Sequence, residues 1–295
     1  MKKAFIQLHI AVFLAGFTGI LGRLITLNEG LLVWYRLLIS SITLWLLFLL
    51  RKRSAKIPWK DILKIAGVGA VAALHWVSFY GCIKVANVSI ALICFSAIGF
   101  FTAILEPILF RVRADRGELL LGMLVILGIY LVFQFDPGYQ AGIGIGLLAA
   151  LLGSIFPILS RKLLKRIDFQ TVTLYELTGG WVTLTLLLPV YLKLFPTTYL
   201  FPSLWDWIWL LVLSWLCTVV AMNLSMSALR KISAFTANLT YNLEPIYGIA
   251  LAFLVFREDR YLSKGFYVGF GLILLAIILQ MMRIMNKSKQ VPIAE

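Results

Sequence analysis

Apolar residues fall in ten long runs along this chain, separated by short polar links. The approximate limits are 4–22, 31–50, 62–83, 88–110, 118–134, 143–160, 171–192, 205–227, 233–256 and 265–282. A helix that crosses a bilayer needs about 20 mostly apolar residues, so each run predicts one spanning helix. The fifth is short. No link is long enough to fold as a domain. The expected fold is an all-α integral membrane protein. The best-marked link, Asp136-Pro137-Gly138-Tyr139-Gln140, divides the runs five and five. It predicts a first five-helix repeat over 1–137 and a second, with a C-terminal tail, over 138–295. An odd number of spans per half inverts the second half, giving ten transmembrane helices in two inverted five-helix repeats.

Composition supports the bilayer as solvent. The chain is 61% hydrophobic and 14% charged, with a mean hydropathy of +0.95. Soluble domains are about a quarter charged. The net charge of +14 matters less than its placement. With both termini on one side, that side's segments hold 20 of the 27 Lys and Arg, from Lys2 and Lys3 to Lys287 and Lys289. The opposite links hold six: Arg23, Lys84, Lys193, Arg257, Arg260 and Lys264. Arg36 lies inside the second run. This bias predicts a multi-pass protein with N and C termini in the cytoplasm. The link Arg257–Lys264 violates the bias, and Glu258 and Asp259 only partly offset it. Charges in short links beside span ends argue against nucleic acid. The first run lacks an Ala-x-Ala cleavage pattern and is expected to stay uncleaved. Cys82, Cys94 and Cys217 lack metal spacing and are expected as small packing residues.

Internal similarity is modest. Tyr80–Ser89 lies beside Met226–Phe235, 146 positions later, each with a basic residue in a tight turn between runs. Leu105-Glu106-Pro107 and Leu243-Glu244-Pro245 also look alike, but 138 positions apart. The two registers differ by about two helical turns. The turn match sets the register between the halves, which places the two Glu-Pro pairs at different depths.

These features resemble the EamA-type permeases of the drug/metabolite transporter superfamily. The resemblance rests on ten runs in two halves, on Trp34-Tyr35-Arg36-Leu37 early in the second run, on the Lys84–Ser89 turn, and on Ala228–Ala234 leading into Leu243-Glu244-Pro245. Phe95-Ser96-Ala97 stands where the family's mid-span proline is expected in the first half. The resemblance implies transport of small metabolites, often amino acids, across the inner membrane, and a structural or gating role for Arg36. It fixes no substrate.

Charge within hydrocarbon costs at least about 2.5–3.5 kcal/mol at a helix centre, so acids inside runs are informative. Glu106 and Glu176 lie near run ends and are expected to snorkel or to pair with Lys or Arg of the links. Glu244 is about 11 residues into the ninth run, roughly 16 Å deep. Pro245 after it cannot bond the Tyr241 carbonyl, so this point is expected to line a cavity or meet a neighbouring helix. Ala237, Tyr241, Glu244 and Gly248 share a helical face, with Asn238 and Asn242 beside it. That face is the expected lining of a central cavity. A neutral, hydrogen-bonded Glu at a helix kink is the plainer alternative. Proton coupling at Glu244 and an ion pair with Arg36 are further options. Arg36 itself has three: snorkelling, internal pairing, or a fork for a substrate carboxylate. Trp76 and Tyr80, four apart on the third run, would form flat walls with polar tips, or simply pack. His75 beside them is a mid-membrane proton relay or a hydrogen-bonded strut. Pro107, Pro157 and Pro245 are expected kinks. Gly142, Gly144, Gly146 and Gly153 in the sixth run, Gly67 and Gly69 in the third, and Gly122 and Gly128 in the fifth are expected to let helices approach closely.

The expected function is an inner-membrane secondary transporter, read as an exporter, of small metabolites such as amino acids, working by alternating access. Its expected partners are a small-molecule substrate, protons as a candidate co-substrate, and lipid, with no nucleic acid. A monomer or a homodimer would serve. A nucleotide-sugar or sugar-phosphate exchanger is the second reading, but only Arg36 lies well inside. An intramembrane enzyme is the third. It would need a nucleophile with a base or a metal cluster, and His9 and His75 are the only histidines. No metal or cofactor is expected.

Overall fold

The computed structural model describes residues 2–54, 56–229 and 240–290, and the described residues contain helices and no strand. The helices are α1 (Lys2–Leu24), α2 (Glu29–Leu50), α3 (Trp59–Val85), α4 (Val88–Phe95), α5 (Ile98–Phe110) and α6 (Arg116–Phe135). Then come α7 (Gln140–Leu163), α8 (Phe169–Leu194) and α9 (Leu204–Leu211). A π-helical stretch, Val212–Val220, leads from α9 into α10 (Ala221–Leu229), followed by α11 (Glu244–Phe256) and α12 (Lys264–Gln290). Nine helical segments among the described residues are long and apolar enough to cross a membrane, and α11 is a shorter apolar helix. The protein is a multi-pass membrane protein.

Polar side chains at link ends start these helices. Asn28, Asn87, Asp115, Asp168 and Ser203 each accept a hydrogen bond from a backbone N–H in the first turn beyond. Such caps contribute about 0.5–2 kcal/mol each. Within the membrane the chains approach through small residues. A Cβ on Gly16 of α1 would lie 2.9 Å from the Glu244 carbonyl oxygen and 3.0 Å from the Gly248 nitrogen of α11. Gly128 of α6 meets the backbone of Gly269 in α12, and Gly69 of α3 meets the backbone of Glu176 in α8. Gly142, Gly146 and Gly153 of α7 face Ala86, Cys94 and His75, as expected of small residues, whereas a Cβ at Gly144 or at Gly67 would meet nothing within 4 Å. The three cysteines are buried and unpaired.

The predicted fourth run, 88–110, is two helices rather than one. Ser96 Oγ donates to the Leu92 carbonyl, 3.2 Å, and Ala97 N to the Cys94 carbonyl, 3.0 Å. Such tightened, back-bonded turns bend a helix without proline. The ninth run, 233–256, falls partly outside the described residues. Its described part turns at Asn242 and Leu243 and restarts at Glu244. The turns Ser96-Ala97 and Asn242-Leu243 are 146 positions apart. Each is followed by a 13-residue helix, and the two helices end on Arg111 and Arg257, both left-handed with φ 55°. The Tyr80–Ser89 register therefore carries through this part of both halves. Glu106 and Glu244 sit at different places in their helices, the ninth residue of α5 and the first of α11.

Polar contacts define two ends of the bundle. At one, rich in Lys and Arg, Arg53 pairs with Asp168 at 3.5 Å, Arg166 with Asp61 at 3.2 Å, and Arg283 with Asp115. Glu106 pairs with Arg161 near that end, as expected for a snorkelling acid, although its partner is not Arg111. At the far end Glu258, 3% exposed, accepts from Arg23, Val88 N, Ser89 N and Ser89 Oγ. Asp206 accepts from Thr26 N at 2.6 Å and Thr26 Oγ1 at 2.8 Å. Asp136 accepts from Ser263 Oγ at 2.6 Å. Buried carboxylates lace the helices together at the far end.

Candidate functional site

Arg36 is the eighth residue of α2 and is only 5% exposed. Its Nη1 donates to Tyr80 Oη at 2.9 Å. Nε and Nη2 both donate to Thr218 Oγ1, at 3.3 and 3.2 Å. The guanidinium carbon lies 4.5 Å from the Trp76 ring centre, a cation–π contact. The structure thus brings together Arg36, Trp76 and Tyr80, and Arg36 does not snorkel. Among the described residues it has no carboxylate at ion-pair distance.

Sequence reasoning missed two partners on the π-helical stretch. Thr218 Oγ1 accepts from Arg36 while donating to the Leu213 carbonyl at 3.0 Å. Ser214 Oγ donates to the Arg36 carbonyl at 3.3 Å. The two are four apart on one face, so the stretch grips α2 at Arg36. Wide π turns recur at functional sites, but no residue type marks one in a sequence. A hydroxyl pair spaced by four in an apolar run was the available signal.

A cavity of about 490 Å³ of empty space, its open mouth included, lies between α2, α8 and α10 at the basic end. Leu44, Leu47, Phe48, Phe169, Val219 and Met222 give its apolar wall. Arg51, Arg53, Gln170, Thr173 and Asn223 give its polar part. Thr173 is 4% exposed and its hydroxyl has no protein partner; nor do the buried hydroxyls of Ser40 and Ser41. Arg36, Ser40, Leu44, Leu47 and Arg51 follow helical spacing along one face of α2. That face runs from the buried guanidinium to the cavity mouth.

Glu244 stands elsewhere. It begins α11, which packs on α1 and α4, and it makes no ion pair with Arg36. Pro245 occupies the first turn of α11 rather than a helix interior, where its missing N–H breaks no helical bond. The turn at Asn242 and Leu243 separates Tyr241 from Glu244, so the two do not lie on one unbroken helix. Tyr241 shares a hydrogen bond of 2.5 Å with Ser225. Asn238 and Ala237 lie outside the described residues. Pro107 and Pro157 lie inside α5 and α7. His75 is buried, donates from Nδ1 to the Ala149 carbonyl at 2.7 Å, and sits among Phe79, Phe95 and Phe156. This is the geometry of a strut between α3 and α7. Glu176, in the second half, accepts from Ser160 of α7.

The family model described as EamA-like transporter family matches residues 2–134 and 140–282, once for each half. A search among curated proteins returns no match. A solved chain titled "Crystal structure of protein" superposes with a TM-score of 0.62 at 15% identity, covering 93% of this chain and 95% of that one. That likeness is one of fold.

Proposed function

The chain belongs to the EamA-like transporter family, membrane transporters of the drug/metabolite superfamily, and from that premise we propose that it exports small metabolites by alternating access. The observation that carries this reading is the contrast between the two ends. One is laced by Glu258, Asp206 and Asp136, while the other holds a cavity between α2, α8 and α10. A carrier closed on one side and open on the other occupies one of its two required states. Lys and Arg crowd the links at the open end, and such links face the cytoplasm. On this reading the termini are cytoplasmic, the membrane is the inner one, and cargo is loaded from inside. The shared 146-position register supports two halves of like structure, and inversion of one half would make the opposite-facing state an exchange of their conformations. Amino acids and related metabolites lead as cargo. Protons are the candidate co-substrate, with Glu244 as the group to carry them.

The test is uptake of labelled amino acids and phosphorylated metabolites into proteoliposomes, with and without a pH gradient. Saturable uptake dependent on the protein supports the reading, and acceleration by the gradient supports coupling. No protein-dependent uptake of any compound overturns it.

A further inference from the structure

We propose that Arg36 receives the carboxylate of the cargo, and that the cavity between α2, α8 and α10 is its approach, so that the substrates are small carboxylates with an apolar tail. This rests on the carrier reading and names its substrate class.

The argument starts from an imbalance. A guanidinium 5% exposed within a membrane bundle has two hydroxyls and an aromatic face for company, and no carboxylate among the described residues. Buried charges in membranes are normally paired. Three of the five guanidinium N–H groups are engaged by Tyr80 and Thr218, which leaves two donors of the fork. A planar fork with free donors matches a carboxylate. Neutral partners fix its position and leave its charge for a ligand.

The route to it is marked independently. The Thr173 hydroxyl lines the cavity, 4% exposed and without a protein partner. The Ser40 hydroxyl, fully buried and also unpartnered, is one helical turn from Arg36 toward the cavity. Buried hydroxyls of this kind are costly unless something bonds them at some stage. Leu44 at the cavity wall is eight residues from Arg36, about 12 Å along the helix. Arg51 at the mouth has no acidic partner among the described residues and offers a first positive charge. Leu44, Phe48, Val219 and Met222 between them suit an apolar side chain. A cargo carboxylate would pass from Arg51 past Thr173 and Ser40 to Arg36, its tail remaining on the apolar wall.

The test pairs apolar amino acids with their own amides. Thermal unfolding of the detergent-purified protein is followed with each acid and each amide, and uptake of the same compounds is measured in proteoliposomes. The expected result is that at least one acid stabilises the protein at concentrations about tenfold below those its amide requires. In Arg36→Gln, which keeps hydrogen bonding to Tyr80 and Thr218 available, acid and amide should come within about twofold. In Thr173→Val the acid should weaken while the apoprotein keeps its melting temperature. If no acid acts at lower concentration than its amide, the inference is overturned. Should amides be carried as well as acids, it also falls, and the carrier reading stands. Acids that bind selectively but are never carried would keep the site and remove the carrier reading.

Discussion

Arg36 and Glu176 hold the same place in the two halves of the chain. Each stands eight residues past a capping side chain, Asn28 for α2 and Asp168 for α8. Tyr35 and Tyr175 precede them, and Leu37 and Leu177 follow. Their surroundings have diverged. Arg36 bonds Tyr80 and Thr218, whereas Glu176 accepts from Ser160. A duplicated frame therefore carries a cation in one half and an acid in the other, and the two do not pair.

Removing the Tyr80 hydroxyl tests whether Arg36 is held ready. Tyr80→Phe keeps the ring and loses one bond to the guanidinium, a loss of about 1.5–3 kcal/mol for a charged hydrogen bond. The expected outcome is a rise in KM for transport larger than any fall in kcat. Thr218→Val should act in the same direction. Equal loss in both constants would mean that the hydroxyls serve the conformational cycle instead.

Gly67 and Gly69 share one helix and should respond oppositely to alanine. A Cβ at Gly69 would run into the Glu176 backbone, while one at Gly67 meets nothing within 4 Å. Gly69→Ala is expected to lower stability by about 1–3 kcal/mol through overpacking. Gly67→Ala should raise it by about 0.5–1 kcal/mol through lost backbone freedom in the unfolded chain. Thermal unfolding in detergent decides both.

Glu258→Ala should loosen the far end. It strips the acceptor from the Val88 and Ser89 N–H groups, about 1–3 kcal/mol for each buried donor left unmet. Cys82 is buried near this end of α3. Its labelling by a membrane-permeant maleimide should be slow in the wild type and several-fold faster in the variant. Unchanged labelling would mean that α4 stays seated without its carboxylate.

Glu244→Gln addresses coupling to protons. With Glu244 as the proton carrier, a pH gradient accelerates the wild type and leaves the variant unaffected, while uptake without a gradient persists in both. A variant that still responds to the gradient removes that role.

Much of the fold was legible because spanning helices announce themselves by length and polarity. Nine of the ten runs coincide with described helical segments within a few residues. The register conflict between the Lys84 turn and the Glu-Pro pairs was also legible, because a turn fixes a link while a Glu-Pro pair can stand anywhere in a helix. Glu258 was not. As a link acid it looked like partial compensation for Arg257 and Arg260, and only folding brings it to the start of α4. Arg36, Trp76 and Tyr80 stood out by residue type, but nothing in their positions said that the three would meet. Thr218 and Ser214 did not stand out, since a hydroxyl in an apolar run commonly bonds its own helix. Leu92 as the acceptor for Ser96, rather than a proline, explains why the break in the first half carried no familiar mark.

The π-helical stretch fixes the phase of everything beyond it. A π turn accommodates more residues than an α turn, and each extra residue shifts the following helix by about 100°. Met222 and Asn223, which line the cavity, stand directly beyond that shift and take their direction from it. Deleting one residue between Val212 and Val220 would leave composition and hydropathy nearly untouched. It would nonetheless turn α10 on its axis and present a different side of it to α2 and α8. Single-residue deletions here should thus behave as rotations of the cavity wall, with the spanning bundle intact.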